Sequence, residues 1–176
     1  MLRMLGISDL QVRPAKGEER PPDDAAPENI VCSLASAKAR EVAAESEKDA
    51  VVVAADTIVW LDGGMLGKPH SEAEAYEMLR RLSGRKHEVY TGVCVTADGV
   101  EHCEAERTAV WFRELTDREI RSYIADGEPM DKAGAYGAQG KGALFVRAIE
   151  GDFYNVVGLP VCRLGEMLAE RGVIIL

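Results

Sequence analysis

The chain has 176 residues and a mass of 19.1 kDa, enough for one domain that folds without help from disulfides or metals. Hydrophobic residues make up 47% and charged residues 29%, a globular balance that excludes wholesale disorder. Lys plus Arg number 21 against 30 Asp plus Glu, so a net charge of −9 excludes non-specific binding to nucleic acid or an anionic membrane, and cations for any anionic substrate must be placed locally.

Met1 to Leu5 reads as helix, with Gly6 as its C-cap and Ile7 as the capping contact. Five residues do not nucleate a helix alone, so this stretch reads as the tail of a longer one whose beginning is absent. Leu10 to Pro14 is a candidate short strand, and residues 16–29, charged and proline-rich, read as a mobile surface loop. Ile30, Leu34, Ala37 and Val42 recur at helical spacing, which predicts a helix from Ile30 to about Ser46. The unbroken apolar run Ala50–Ala55 predicts a strand buried on both faces and ending at Asp56-Thr57. Ser71 with Glu74 forms a capping box for a helix that buries Ala75, Met78, Leu79 and Leu82 and closes at Gly84. Strands follow at His87–Thr96 and Glu104–Phe112 around the turn Asp98-Gly99. Thr116 and Glu119 open another helix, which ends at Gly127. Ala143–Ile149 and Phe153–Val157 read as extended, Pro160 starts a last helix ending at Gly172, and Val173–Leu176 is a candidate final strand. Helices and strands alternate with at least one hairpin, so the expected class is α/β with a mixed sheet, in one domain over residues 1–176.

The apolar runs are too short to span a bilayer, and no basic leader precedes an apolar stretch, so no signal peptide or membrane partner is expected. Cys32, Cys94, Cys103 and Cys162 form no Cys-x-x-Cys pair, which argues against zinc and for reduced thiols in a cytoplasmic protein.

Several residues could carry chemistry, and each also has a plain structural reading. Asp56, at the expected end of a buried strand, could hold Mg²⁺ or activate water, or it could bond local backbone. Lys68, between Gly67 and Pro69, offers a point charge to phosphate or solvates a turn. Lys38 lies in a helix of small residues, and Glu19 lies in an acidic loop. Residues 127–142 carry five glycines around Asp131, Lys132, Tyr136 and Gln139. Such a loop could read a nucleobase edge while stacking on it, or it could pack on its own side chains.

Ala55-Asp56-Thr57, Gly67-Lys68-Pro69, Leu82-Ser83-Gly84, Tyr90-Thr91-Gly92-Val93, the run Asp131 to Gly137 and the run Gly151 to Pro160 together resemble the Maf family of nucleoside triphosphate pyrophosphatases, also called septum formation inhibitors. The resemblance implies a mixed, twisted sheet with flanking helices and a deep ligand cleft. It implies hydrolysis of a nucleoside triphosphate to monophosphate and pyrophosphate with a divalent metal, Mg²⁺ or Mn²⁺. By the same resemblance Asp56 is the general base, Asp56 and Glu19 hold the metal, and Lys38 and Lys68 contact phosphates. Thr57 and Gln139 select the base, with Asp131 and Lys132 beside the substrate, and the wording of that loop looks like the branch preferring dTTP and UTP. Ala138 stands where that branch usually has Ile. The partner is then the triphosphate itself; a homodimer is one assembly open to the chain, and the sequence does not fix the oligomeric state. The alternative is a nucleotide-binding regulator of septum formation with little catalysis. The family opens with a strand and a Ser-x-Ser-Pro-Arg-Arg loop that has no counterpart here, which gives the expectation of a truncated or naturally short chain with weakened phosphate binding and an exposed sheet edge.

Overall fold

The computed structural model describes residues 1–7, 9–23, 25–173 and 175. Local signals set most of its elements. A 3₁₀ turn at Leu2–Leu5 ends at Gly6, whose φ of 82° lets its amide return to the carbonyls of Leu2 and Arg3. Pro27 pre-sets the first turn of helix α1 (Pro27–Ala44), which buries Ile30, Val31, Leu34, Ala35, Ser36 and Ala39. Strand β1 (Val52–Leu61) turns through Asp62 and Gly63, both at positive φ, into β2 (Gly64–Leu66). Helix α2 (Glu72–Leu82) is capped by the Ser71 side chain and buries Ala75, Met78, Leu79 and Leu82. Strands β3 (Lys86–Ala97) and β4 (Val100–Phe112) join through Asp98-Gly99. Helix α3 (Asp117–Ala125) starts with the full Thr116–Glu119 capping box. Three 3₁₀ turns lead from Glu128 to Phe145, and β5 (Val146–Glu150), α4 (Phe153–Val157) and α5 (Val161–Ala169) complete the chain.

The strand order is β2-β1-β3-β4-β5. The expected α/β class, a sheet with flanking helices, holds. The sheet is antiparallel rather than mixed: β1–β2 and β3–β4 are joined by two-residue turns that only antiparallel neighbours can use, and β5 runs antiparallel to β4.

Four local expectations change. Leu10–Pro14 is not a strand: Val12 is 80% exposed, so no apolar face holds the segment to a sheet. The run at 50–55 is not buried on both faces, since Val51 is exposed and residues 53–56 are half-buried; β1 also continues past Asp56 to Leu61. Lys141–Phe145 is 3₁₀, so β5 begins only at Val146. Phe153–Val157 is a helix, started by the Asp152 carboxylate, which accepts from the Tyr154 amide at 2.7 Å. The strand expected at Val173–Leu176 falls partly on Ile174 and Leu176, which lie outside the described residues.

The chain forms two compact units, and β1, β3 and β4 contribute residues to both. The first comprises Met1–Asp56, Thr91–Glu106 and Gly158–Leu176. Its core packs Ala35 and Ala39 of α1 against Val52 and Cys94, and Val93 and Val95 against Leu164, Met167 and Leu168 of α5. Here a Cβ on Gly92 would lie 2.3 Å from the Val31 carbonyl oxygen, so only glycine lets α1 sit this close to β3. Cys94 and Cys103 face one another across β3 and β4 with Cα atoms 4.1 Å apart and form a disulfide, which corrects the expectation of four reduced thiols. Cys32 and Cys162 are free.

The second unit comprises Thr57–Tyr90 and Arg107–Val157. Apolar faces of α2 and α3 pack with Val59, Leu66, Val89, Val110, Phe112 and Phe145. Three polar side chains, His87, Thr108 and Asn155, sit inside it among the described residues. Asn155, fully buried, donates to the Val89 carbonyl at 3.1 Å and to Thr108 Oγ1 at 2.9 Å. His87 Nε2 meets Tyr136 Oη at 2.8 Å, and desolvation pushes the imidazole down to about 4.

Candidate active site

In the first unit, α1 presents Lys38 toward β1. Its ammonium bonds Asp56 Oδ1 and lies 2.8 Å from Glu19 Oε1. Burial alone would lower the Lys38 ammonium, but the hydrogen bonds and charges of Asp56 and Glu19 outweigh it and hold the group above its ordinary 10.5. Lys38 is therefore a fixed cation. Asp56, whose side chain is only 9% exposed, owes its place inside a strand to that cation. Glu18 turns away and pairs with Arg20 at 2.7 Å, so Glu19 is the acidic side chain that joins the cluster. Two residues that sequence reasoning passed over shape this place. Glu41 of α1 accepts from the amides of Lys16 at 2.6 Å and Gly17 at 3.0 Å, anchoring the segment that carries Glu19. Arg13 lines the same cavity of about 800 Å³ as Glu19, Lys38, Val53 and Ala55. No regular sequence pattern flags either residue, because one bonds backbone and the other lies in an irregular segment.

In the second unit, Thr57 is half-buried on β1, and Lys68 is exposed just after β2. The Gly134 amide donates to the Gly67 carbonyl at 2.9 Å, which ties the Lys68 turn to the glycine loop. Asp131 pairs with Lys132 at 2.5 Å; that bond first, and the Lys132 and Lys68 charges after it, hold the carboxyl below its ordinary range. Gln139 is exposed at the loop tip. Tyr136 is not available to stack on a base. It is 5% exposed and packs edge-on against Phe112, 4.7 Å between centroids, because its neighbours Gly134 and Ala135 take positive φ and turn the ring inward.

The carboxylates of Asp56 and Glu19 converge on the Lys38 ammonium, and hard oxygen donors of this kind are the type that would suit Mg²⁺ or Mn²⁺. Among the described residues, the group of three close ligating side chains is a different one, Cys94, Glu101 and Cys103. Two of those three are tied up as a disulfide, and Glu101 is held by Ser36 and Arg40.

Over residues 1–171 the chain matches the family described as Maf-like protein. This chain belongs to the Maf-like family. It is 55% identical over 148 residues to the dTTP/UTP pyrophosphatase of Carboxydothermus hydrogenoformans, covering 83% of this chain and 79% of that one. A dTTP/UTP pyrophosphatase of Bacillus cereus is 55% identical over 144 residues, 82% of this chain and 75% of its own. That of Bacillus anthracis (strain CDC 684 / NRRL 3495) is 54% identical over the same shares. Within this Maf-like chain, not every familiar block is chemical. Gly92 serves the approach of α1, and Asn155 braces β3 and β4 from inside. No helix is long and apolar enough to cross a membrane among the described residues.

Proposed function

We propose that this chain hydrolyses nucleoside triphosphates, dTTP and UTP foremost, to the monophosphate and pyrophosphate. The observation that carries the reading is the partly buried cluster of Glu19, Lys38 and Asp56, a general-base candidate held against a permanent cation. The Maf-like membership and the names of the relatives support the reaction class. Asp56 orients or deprotonates the attacking water. Lys38 spends two of its three N–H donors on Glu19 and Asp56 and keeps one for a phosphate oxygen. Lys68 supplies a further phosphate contact. Asp56 and Glu19 would hold Mg²⁺ or Mn²⁺, which when bound neutralises phosphate charge and polarises the bond to be cleaved. Thr57 and Gln139 select the base, and Asp131 and Lys132, which precede Gln139 in the same glycine loop, contact the substrate. The reading includes a single catalytic domain over residues 1–176, acting in the cytoplasm, with a homodimer as its assembly.

The test is pyrophosphate release from dTTP, UTP, CTP, ATP and GTP with Mg²⁺ or Mn²⁺. Faster release from dTTP and UTP is expected. Binding of these nucleotides without release of pyrophosphate would replace this reading with that of a nucleotide-binding regulator.

A further inference from the structure

Gln139 stands at the exposed tip of a segment that neither α-helix nor strand holds. A side chain that must discriminate between bases needs its backbone fixed to within a fraction of an ångström. The segment is fixed from one place. Glu128, half-buried at the start of the first 3₁₀ turn after α3, accepts from the Lys141 amide at 3.1 Å through Oε2 and from the Gly142 amide at 3.3 Å through Oε1. Tyr123 of α3, only 3% exposed, donates its hydroxyl to Glu128 Oε1 at 3.0 Å. The same hydroxyl oxygen accepts from the Gly137 amide at 3.1 Å. One carboxylate and one phenol thus hold both ends of the six-residue segment 137–142. Its ends close on each other as well, since a Cβ on Gly142 would lie 2.3 Å from the Gly137 carbonyl oxygen.

A carboxylate suits this place. It only accepts, with room for about four donors, and here it takes two amides and a hydroxyl. Burial alone would raise the Glu128 carboxyl, but the two amides, the Tyr123 hydroxyl and the Lys132 charge hold it below its ordinary value, so it is ionised at neutral pH.

We propose that Glu128, acting with Tyr123, is the positioning residue that fixes Gln139 for selecting the base. The inference rests on the reading that Gln139 contacts the base. Neither Glu128 nor Tyr123 needs to touch the nucleotide.

The experiment is a four-member cycle of the full chain: wild type, Gln139→Ala, Glu128→Ala and the double variant. The readout is the ratio of kcat/KM for dTTP to kcat/KM for ATP, alongside amide exchange at Gly137, Lys141 and Gly142. Glu128→Ala is expected to lower the ratio about tenfold, the size of one charge-assisted hydrogen bond. The double variant should fall no further than Gln139→Ala alone. Glu128→Gln, which keeps one acceptor oxygen, should restore part of the ratio, a rescue that a general loss of packing would not give. If Glu128→Ala does not fold, Tyr123→Phe carries the test, since it removes only the hydroxyl. A ratio lowered by Gln139→Ala but untouched by Glu128→Ala and Tyr123→Phe overturns the proposal. If Gln139→Ala itself leaves the ratio unchanged, the base-reading role fails and the selective purpose of the tether fails with it. Faster exchange at Lys141 and Gly142 in Glu128→Ala then marks the parent reading, not the tether, as the point of failure.

Discussion

Lys38 and Asp56 meet across 18 residues of chain, one on a helix and one on a strand, and their partnership is charge against charge. Glu128 reaches amides 13 and 14 residues away, and its partnership is a carboxylate against backbone donors. The difference teaches how each region can be damaged. The cluster of the first unit hinges on one cation shared by two carboxylates, so removing Lys38 leaves two like charges facing one another in a partly buried place, whereas removing either acid leaves a simple ion pair. The tether of the second unit depends on one acceptor, and the amides it holds cannot be mutated away. Charge reversal should break the first, and lost geometry should break the second.

The largest expected effect breaks the first region alone. Asp56→Asn keeps the size of the side chain and removes its basicity, so pyrophosphate release should fall about 100-fold or more, while circular dichroism shows a folded protein. Near-normal turnover would leave Asp56 as a structural partner of Lys38 only.

Next comes pH, which should act on the two units in opposite directions, through His87 in the second and Lys38 in the first. His87 has a folded value of about 4 against an ordinary 6.5, so the unfolded chain binds the extra proton first. Its contribution is complete above 6.5 and is lost as the pH falls toward 4, by about 3 kcal/mol at most. Lys38 has a raised folded value, so its contribution is present below 10.5 and is lost only as the pH climbs through the folded value. Urea unfolding of wild type and His87→Gln at pH 7 and pH 4.5 measures the acid limb. Parallel losses in both proteins would assign acid sensitivity elsewhere.

Gln139→Ala should flatten the preference for dTTP and UTP over ATP and GTP by about tenfold, with little change in the unfolding midpoint. Unchanged preference would move base selection to another residue. The smallest effect sharpens the first region: Glu41→Ala frees the Lys16 and Gly17 amides and should lower kcat/KM by about twofold to fivefold, without altering base preference. A changed preference would mean that the segment bearing Glu19 does more than hold charge.

Much of the fold was legible because it is written locally. The capping residues Ser71 and Thr116, the turn Asp98-Gly99 and the apolar face of α2 each act within a few residues and are kept, although Glu74 returns to the His70 amide and not to Ser71, so the first capping box is only half formed. What misled depended either on distant partners or on local backbone geometry that residue types do not display. β1 runs through Asp56 because Lys38 neutralises it, which the sequence around Asp56 cannot display. Phe153–Val157 looked extended because its apolar residues mask the Asp152 cap. The tie between Cys94 and Cys103 follows from the register of a hairpin, and the inward turn of Tyr136 from backbone at positive φ. The Glu19–Lys38–Asp56 cluster was named through family wording, while Glu41, Arg13, Tyr123 and Glu128 were silent because their partners are backbone groups or cavity walls.

The approach at Gly92 has a genetic consequence. Any side chain there would strike the Val31 carbonyl and the Cys32 amide nitrogen, atoms that every amino acid shares. Trimming Val31 or Cys32 to a smaller residue removes nothing that is in the way. A selection for second-site revertants of Gly92→Ala should therefore return true revertants, or changes that move α1 as a whole, and no compensating substitution at positions 31 and 32.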